Sequence, residues 1–295
     1  MSRNLSEVYP PREYTAADIG AVGLTGDQDI SGAKNFLGDM KVGGFPIHPL
    51  EADLTITVGV GGEPETINGC LAKYSRMYPA YVVDGAIFTL HLPAGFVMAE
   101  QVLVRGIDLS HWQITGADAE TTITRSALST EFEERYPTFG ATNGGRLPLI
   151  AQLFDMDTTG TATNRDGVYV YGAGSVANVA SACGIKNAGE VGAICRGGDV
   201  YMRSSVFTGC NICAQNIAGR VYAQLATLSG GVSNGVLVNL GGRMTVQSAN
   251  CQKGASPDSS DIVVLTGGYI DATSVTGGIN QTKNIPTANG IIYQA

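Results

Sequence analysis

A glycine followed two residues later by an apolar residue recurs five times in the last third of the chain. The copies begin at Gly174, Gly198, Gly219, Gly242 and Gly268, so successive copies are 24, 21, 23 and 26 residues apart. Spacings of this length are typical of the coils of a solenoid, in which each repeat packs only on its neighbours. The pattern therefore predicts a stack of coils in the C-terminal part of the chain.

Apolar and polar residues alternate after each of these marker glycines, as they do along a half-buried β-strand. The second and fourth positions are mostly apolar and are predicted to point into the coil: Val176/Asn178, Val200/Met202, Val221/Ala223, Met244/Val246 and Ile270/Ala272. The third and fifth positions are then predicted to point outward: Ala177/Val179, Tyr201/Arg203, Tyr222/Gln224, Thr245/Gln247 and Asp271/Thr273. A second short run precedes each marker, which predicts two strands per coil joined by Gly-, Asn- and Ser-rich turns. We therefore predict an all-β protein whose main body is a right-handed parallel β-helix.

The rest of the chain can be divided by its pattern of apolar and polar residues. Residues 1–50 carry only short motifs spaced by glycines, and we expect an extended segment that needs a partner. Residues 51–165 are predicted to be an irregular β region with the first coils, in which residues 119–147 form a projecting loop. Residues 166–295 hold the regular coils, with a last short strand at Gly290–Tyr293.

The composition favours a turn-rich β protein with its own core. Of the 295 residues, 40 are glycine, 44% are hydrophobic and 15% are charged. The net charge of −8 argues against a nucleic-acid or anionic-membrane surface, since both require a basic footprint. The N-terminus shows no apolar leader, and the longest apolar runs are too short to span a bilayer. We therefore expect a protein that is made in the bacterial cytoplasm and does not insert into a membrane.

The six cysteines are expected to be reduced thiols, because no secretion signal is visible. Cys183 and Cys251 both lie nine residues after a marker glycine, which predicts equivalent buried positions. Cys210 and Cys213 form a lone C-x2-C motif without a second ligand pair or a nearby histidine. No metal and no cofactor is predicted.

Two N-terminal motifs resemble those of a known class of protein. The run from Tyr14 to Val22 looks like the T-A-x-D-[IV]-G-A segments of phage tail fibres. The run from Ile30 to Gly44 resembles the I-S-G-x-K-x-F … K-V-G-G repeats that lead into a fibre shaft. Together with the repeats of residues 80–295, these motifs make the chain similar to the β-helical fibre and spike proteins of tailed phages and of phage-like gene transfer agents.

This resemblance implies a homotrimer on the surface of a virion or phage-like particle. A capsid or tail protein of the particle would hold the N-terminal segment through Tyr14, Asp18, Ile19 and Phe36. The β-helix would lie at the far end and contact a bacterial surface polysaccharide.

The outward positions offer a candidate surface for that contact. Tyr201 and Tyr222 occupy the same position in adjacent coils, so their rings are expected about 4.8 Å apart. Arg203, Gln224 and Gln247 form a polar row two positions later. Aromatic rings beside amide and guanidinium donors suit a sugar chain, because rings cover apolar C–H faces and the donors bind hydroxyls. The alternative is that these side chains are buried between the subunits of a trimer.

Some relatives of this kind cleave the polysaccharide that they bind, which requires two carboxylates at roughly 5–9.5 Å. The candidates are Asp155 and Asp157, which alternation places on one face, with Asp166 following them. All three lie in a Gly/Thr-rich stretch in which aspartate is also an ordinary turn residue. The histidines His48, His91 and His111 are scattered and are interpreted as structural, and no catalytic triad spacing is present.

The sequence therefore predicts a non-enzymatic fibre or spike that binds a surface glycan through multivalent contacts. Two alternatives stay open, which are a polysaccharide depolymerase on the same fold and a purely structural fibre element.

Overall fold

The computed structural model describes residues 41–42, 45–46, 50–79, 85–159, 163–253, 260–276, 283–284 and 290–293. Residues Met1–Met40 form a separate unit from Lys41–Ala295 and lie outside the described residues. The predicted attachment residues Tyr14, Asp18, Ile19 and Phe36 belong to that part of the chain, and their role stays a prediction. Two short strands, β1 (Lys41–Val42) and β2 (Phe45–Pro46), pair antiparallel.

The main body is a parallel β-helix, as predicted. Its strands pair in register with the equivalent strands of the coils before and after, and they form three parallel faces. Face A carries a four-stranded sheet and a six-stranded sheet linked by bridges such as Ile150 with Val179. Its strands are β3 (Leu54–Thr57), β4 (Phe88–Leu92), β7 (Trp112–Gly116), β10 (Leu149–Ile150), β13 (Val176–Asn178), β16 (Asp199–Tyr201), β19 (Arg220–Tyr222), β22 (Arg243–Thr245), β25 (Tyr269–Asp271) and β27 (Ile291–Tyr293).

The other two faces are single continuous sheets of seven and eight strands. Face B consists of β5 (Val97–Met98), β8 (Thr121–Ile123), β11 (Leu153–Met156), β14 (Gly184–Lys186), β17 (Val206–Thr208), β20 (Thr227–Gly231) and β23 (Asn250–Lys253). Face C consists of β6 (Val102–Arg105), β9 (Pro137–Thr142), β12 (Asp166–Tyr171), β15 (Val191–Arg196), β18 (Ile212–Ile217), β21 (Asn234–Asn239), β24 (Ser260–Val264) and β26 (Lys283–Asn284). Both sheets continue without a break from residues 51–165 into residues 166–295. One β-helix therefore spans the two regions that the sequence analysis separated.

Each regular coil has three strands, and the prediction of two was wrong. The strands that precede and follow each marker were found, and they belong to faces C and A. The missed strands are those of face B, and β14 and β17 have only three residues each. A run of three residues is too short to show alternation in the sequence.

The first copy of the repeat is also shifted by one residue from its predicted register. Val176 pairs with Asp199, so Ser175 and not Gly174 is equivalent to Gly198. Gly174 is the turn residue before it, with a φ of +79° that matches the φ of +86° at Gly197. Consequently Ala177 and Val179 of this coil point inward, and the prediction that Val176 and Asn178 do so was wrong.

The core is a set of stacked inward columns, and the inward positions predicted for the four later copies are confirmed. Val200, Met202, Val221, Ala223, Met244, Val246, Ile270 and Ala272 are all buried. Face B adds the column Ile185, Phe207, Leu228 and Cys251. Cys251 is therefore equivalent to Ile185, and the predicted equivalence with the partly buried Cys183 was wrong.

One helix, α1 (Ile67–Tyr74), lies at the N-terminal end of the described β-helix. Thr66 caps it by accepting a hydrogen bond from the Gly69 N–H at 3.0 Å. Its buried side chains recur at helical spacing and join the core, and the Asn68 amide donates to the Gln101 carbonyl beside β6 at 2.8 Å. Because β6 is the first strand of face C, the helix covers an end that would otherwise expose unpaired backbone groups.

Residues 119–147 do not project, contrary to the prediction. They include β8, a 3-10 turn at Arg125–Ala127 and β9, and the segment 128–136 lies on the outside of face C. Phe132 is 1% exposed and packs against Tyr169, in the space left by the missing side chain of Gly140. We call residues 128–136 the cover segment.

Candidate functional site

Face A carries the predicted outward ladder on its strands β16, β19, β22 and β25. The register places Tyr201, Tyr222, Thr245 and Asp271 in one outward column. The alternate positions Val200, Val221, Met244 and Ile270 are buried in the core, so the backbone itself fixes which side chains face out.

The stacking predicted for the two tyrosines is confirmed. The ring centroids of Tyr201 and Tyr222 are 4.8 Å apart and the ring planes differ by 2°. Each ring therefore covers one face of the other, and only the two end faces of the stack are left for a further contact. The free face of Tyr222 is directed toward the next rung, which is occupied by the smaller Thr245.

The predicted polar row lies beside this stack. The Ser204 N–H donates to the Gln224 carbonyl and the Leu225 N–H donates to the Gln247 carbonyl, both at 2.9 Å, so the row follows successive coils. The Gln247 amide also donates to Asp271 at 2.9 Å. A shallow groove of about 540 Å³ is lined by Tyr201, Arg203, Tyr222, Gln224, Leu225, Gln247 and Ser248. An aromatic edge, a guanidinium group and two amides in one groove can pack against and hydrogen-bond a polyhydroxylated chain.

A second outward column was missed in the sequence. It consists of the residues immediately after the marker position, which are Asp199, Arg220, Arg243 and Tyr269. Arg220 makes a bidentate ion pair with Asp199, at 2.6 Å from Nε and 2.9 Å from Nη2. This pairing with an anion raises the pKa of Arg220. The signal was present at a fixed offset in every later copy of the repeat, but only the apolar positions were aligned.

The two columns meet in a larger shallow groove of about 720 Å³. Its lining combines the outer face of Tyr222 with two arginines and a second tyrosine: Arg220, Val221, Tyr222, Gly241, Arg243, Met244, Thr245, Gly267, Gly268, Tyr269 and Ile291. The Arg243 backbone accepts a hydrogen bond from the Asn216 amide at 2.6 Å and donates one to the Gly219 carbonyl at 2.9 Å. Among the described residues, no hydrogen bond or ion pair involves its guanidinium group.

The candidate carboxylates Asp155 and Asp157 lie on the outer side of face B, at and just after the end of β11. Asp155 accepts a hydrogen bond from the Asn187 amide at 2.6 Å. Lys186 lies 3.8 Å from Asp155 and forms a closer ion pair with Glu120 at 2.8 Å. The Asp155 carboxylate is thus already engaged by neighbouring coils.

Asp166 does not join this pair, because it is the first residue of β12 on face C. Arg135 of the cover segment donates to both carboxylate oxygens, at 2.6 and 2.8 Å, and the Val191 N–H donates at 3.1 Å. Burial raises the pKa of Asp166, although these donors oppose the shift. The arrangement ties the cover segment to the helix, and Asp166 is a strand residue rather than the turn residue considered from the sequence.

The described histidines contact the fold itself. His91 shares a hydrogen bond with Thr115 at 3.1 Å, and His111 bonds the Met77 carbonyl at 2.9 Å and packs beside Phe88 and Trp112. His48 lies outside the described residues.

All six cysteines are free thiols. Burial raises the pKa of Cys195 to about 11 and that of Cys251 to about 12. In the part of the chain that the structure describes, no three His, Cys, Asp or Glu side chains are grouped to hold a metal ion.

The described residues also contain no helix with the length and apolar character needed to cross a membrane. A comparison with protein-family models gives no match, and neither does a comparison with curated proteins. The resemblance to fibre and spike proteins therefore stays an expectation from the sequence motifs.

Proposed function

We propose that this protein is a homotrimeric fibre or spike on the surface of a phage or phage-like particle. Residues 1–50 hold the particle, and the β-helix binds a bacterial surface polysaccharide by non-covalent contacts that are repeated on three chains and many fibres. Weak single contacts suffice in such an arrangement, because the second and third contacts are effectively intramolecular.

The observation that carries the proposal is the open outer face of β16, β19 and β22. Tyr201 is 41% exposed although it lies on a rigid strand, and it shares its groove with Arg203, Gln224 and Gln247. Contiguous exposed aromatic surface, such as the two stacked rings on adjacent strands, is a common mark of an interaction site. A groove of about 540 Å³ that is open along its length suits a chain-like ligand better than an enclosed small molecule.

The depolymerase alternative has less support. The carboxylates of Asp155 and Asp166 are each engaged by neighbouring donors, and the two residues lie on different faces of the helix. A purely structural element, or a subunit contact at the same tyrosines, remains the alternative that the experiment must separate.

The experiment measures binding of labelled protein to an array of purified bacterial capsular and O-antigen polysaccharides. Tyr222→Ala is expected to weaken binding at least about tenfold, because stacking on one ring contributes roughly 1 kcal/mol per chain and is multiplied over three chains. Tyr78→Ala is the matched control, since Tyr78 is a tyrosine with 44% exposure outside the groove. Released reducing sugar is followed in the same wells.

The subunit number of each variant is measured by light scattering. Loss of binding with an unchanged trimer supports the glycan contact. Dissociation of Tyr222→Ala into monomers assigns the face to the trimer interface, whereas release of sugar turns attention to Asp155, Asp157 and Asp166. Absence of binding to every polysaccharide and to host cells leaves the structural element.

A further inference from the structure

The outward column next to the tyrosine stack carries two positive charges and one negative charge. On successive rungs it places Asp199, Arg220, Arg243 and Tyr269, with neighbouring strands about 4.8 Å apart. Asp199 is bound by both nitrogens of Arg220 and is itself largely shielded, with 14% of its side chain exposed. The one carboxylate of the column therefore compensates one of its two guanidinium groups.

Arg243 is left without such a partner among the described residues. The nearest acidic residue on the following rung is Asp271, which accepts hydrogen bonds from Gln247 at 2.9 Å and from the Thr273 hydroxyl at 2.7 Å. No ion pair joins it to Arg243. Arg243 is exposed, and an exposed guanidinium group that has no carboxylate beside it offers a site for an anion from outside.

The surroundings of Arg243 fit an anionic sugar better than an isolated ion. The groove of about 720 Å³ has the free ring face of Tyr222 on one side and Tyr269 on another. Thr245 between them is small, and the exposed Gly241 and Gly267 add no side chains to the lining. A planar guanidinium group binds a carboxylate or phosphate with two parallel hydrogen bonds, while the ring accepts the apolar face of the same or the next sugar.

We propose that Arg243 binds the anionic group, carboxylate or phosphate, of an acidic surface polysaccharide, with Tyr222 supporting the sugar ring. This inference rests on the proposed glycan-binding function and specifies its ligand class. Asp199 compensates the charge of Arg220 and occupies its guanidinium group, so that rung does not bind a second anion.

The test compares polysaccharides that differ only in charge. Uronic-acid polysaccharides are presented beside the same polymers after reduction of the carboxyl groups to alcohols, phosphodiester polysaccharides are presented beside neutral ones, and all are probed with the full chain. Arg243→Gln is expected to reduce binding to the acidic polymers about tenfold or more, and Arg243→Lys is expected to restore part of it. Arg76→Gln is the matched control, because it removes the same charge from an exposed arginine outside the groove.

The outcomes separate the two proposals. Loss of binding on carboxyl reduction, or confinement of binding to the phosphodiester polymers, together with a selective effect of Arg243→Gln, supports the inference and tells carboxylate from phosphate. Equal binding to neutral, reduced and acidic polymers that still depends on Tyr222 overturns the inference and leaves the glycan function standing. Equal losses in Arg243→Gln and Arg76→Gln indicate general charge attraction and overturn it as well. Binding to no polysaccharide removes both proposals, and dissociation of the Arg243→Gln trimer assigns the arginine to a subunit contact.

Discussion

Tyr169 and Tyr201 are both outward-facing tyrosines on strands of the same β-helix, but their surroundings are opposite. Tyr169, on face C, is fully buried under the cover segment and belongs to a small cluster with Phe132, Val191 and Ile194. Tyr201, on face A, is 41% exposed and stacks on the partly exposed Tyr222. The strands provide the same alternation in both places, so the difference comes from what lies on top of the sheet.

The chain thus covers part of the outer side of face C with its own residues and leaves the outer side of face A open in the described residues. The cover segment is fixed by the ion pair of Arg135 with the buried Asp166 and by the pairs of Arg105 with Glu133 and of Arg196 with Glu134. No described segment lies over Tyr201 and Tyr222. Face C is occupied around Tyr169, whereas the proposed function assigns face A to an external ligand.

The largest expected effect comes from removing the Phe132 side chain, which packs between the cover segment and face C. Phe132→Ala is expected to lower the free energy of unfolding by about 3–5 kcal/mol, because it leaves a cavity over Gly140 and Tyr169. Leu225→Ala on face A is the control and is expected to change it by no more than about 0.5 kcal/mol, since Leu225 is 49% exposed. Urea unfolding of both variants gives the two values. A cost below about 1 kcal/mol for Phe132→Ala shows that the cover is a loosely attached loop and removes the contrast.

A smaller effect is expected from the ion pair that fixes the cover. Arg135→Met leaves the buried Asp166 carboxylate with the Val191 N–H as its remaining donor and is expected to cost about 2–3 kcal/mol at neutral pH. Arg196→Met, which breaks an exposed pair with Glu134, is the control and is expected to cost less than about 1 kcal/mol.

The pH dependence of the Arg135→Met variant gives an independent check. Burial raises the pKa of Asp166 in the folded protein and Arg135 opposes that shift, so removal of Arg135 raises the pKa further and the folded variant binds the proton more tightly than the folded wild type. The destabilisation is then present at high pH and is relieved as the pH falls through the folded pKa. Urea unfolding at a series of pH values is expected to show the variant approaching the wild type in acid. A deficit that does not change with pH contradicts the assignment of the cost to an unpaired carboxylate.

The same two regions show what the sequence could predict. The outward positions of face A could be predicted from the alternation of side chains after Gly198, Gly219 and Gly242. Each coil places equivalent residues at the same point of its strand. The column of Arg220 and Arg243 could be read in the same way, since it lies at a fixed offset from the marker. The exception is the first copy, where Gly174 is a turn residue and Ser175 takes the marker position.

The cover segment could not be predicted by such a pattern. It depends on contacts between residues that are far apart in the chain, such as Phe132 with Tyr169 and Arg135 with Asp166. Acidic residues such as Glu133 and Glu134 are typical of a solvent-exposed loop, and only the fold shows that arginines of face C lie opposite them. The aspartates considered for catalysis were grouped because they are close in the sequence. In the fold, Asp155 lies on face B, whereas Asp166 begins β12 on face C.

The smallest predicted effect concerns the open face itself. If Tyr201 and Tyr222 stack only on each other, a double-mutant cycle between Tyr201→Ala and Tyr222→Ala should give a coupling free energy of about 0.5–1 kcal/mol in the isolated chain. The sum of the single effects should stay far below the cost of Phe132→Ala, because both rings remain accessible to water.

The cycle also separates the two possible partners of face A. Measured by urea unfolding at several protein concentrations, the coupling should not depend on concentration if the stack faces solvent and awaits a ligand. A coupling that grows with concentration to several kcal/mol means that the rings are covered by another subunit, since stability then includes association. In that case another subunit covers face A, just as the cover segment covers face C within one chain. The proposed glycan would then have to bind elsewhere.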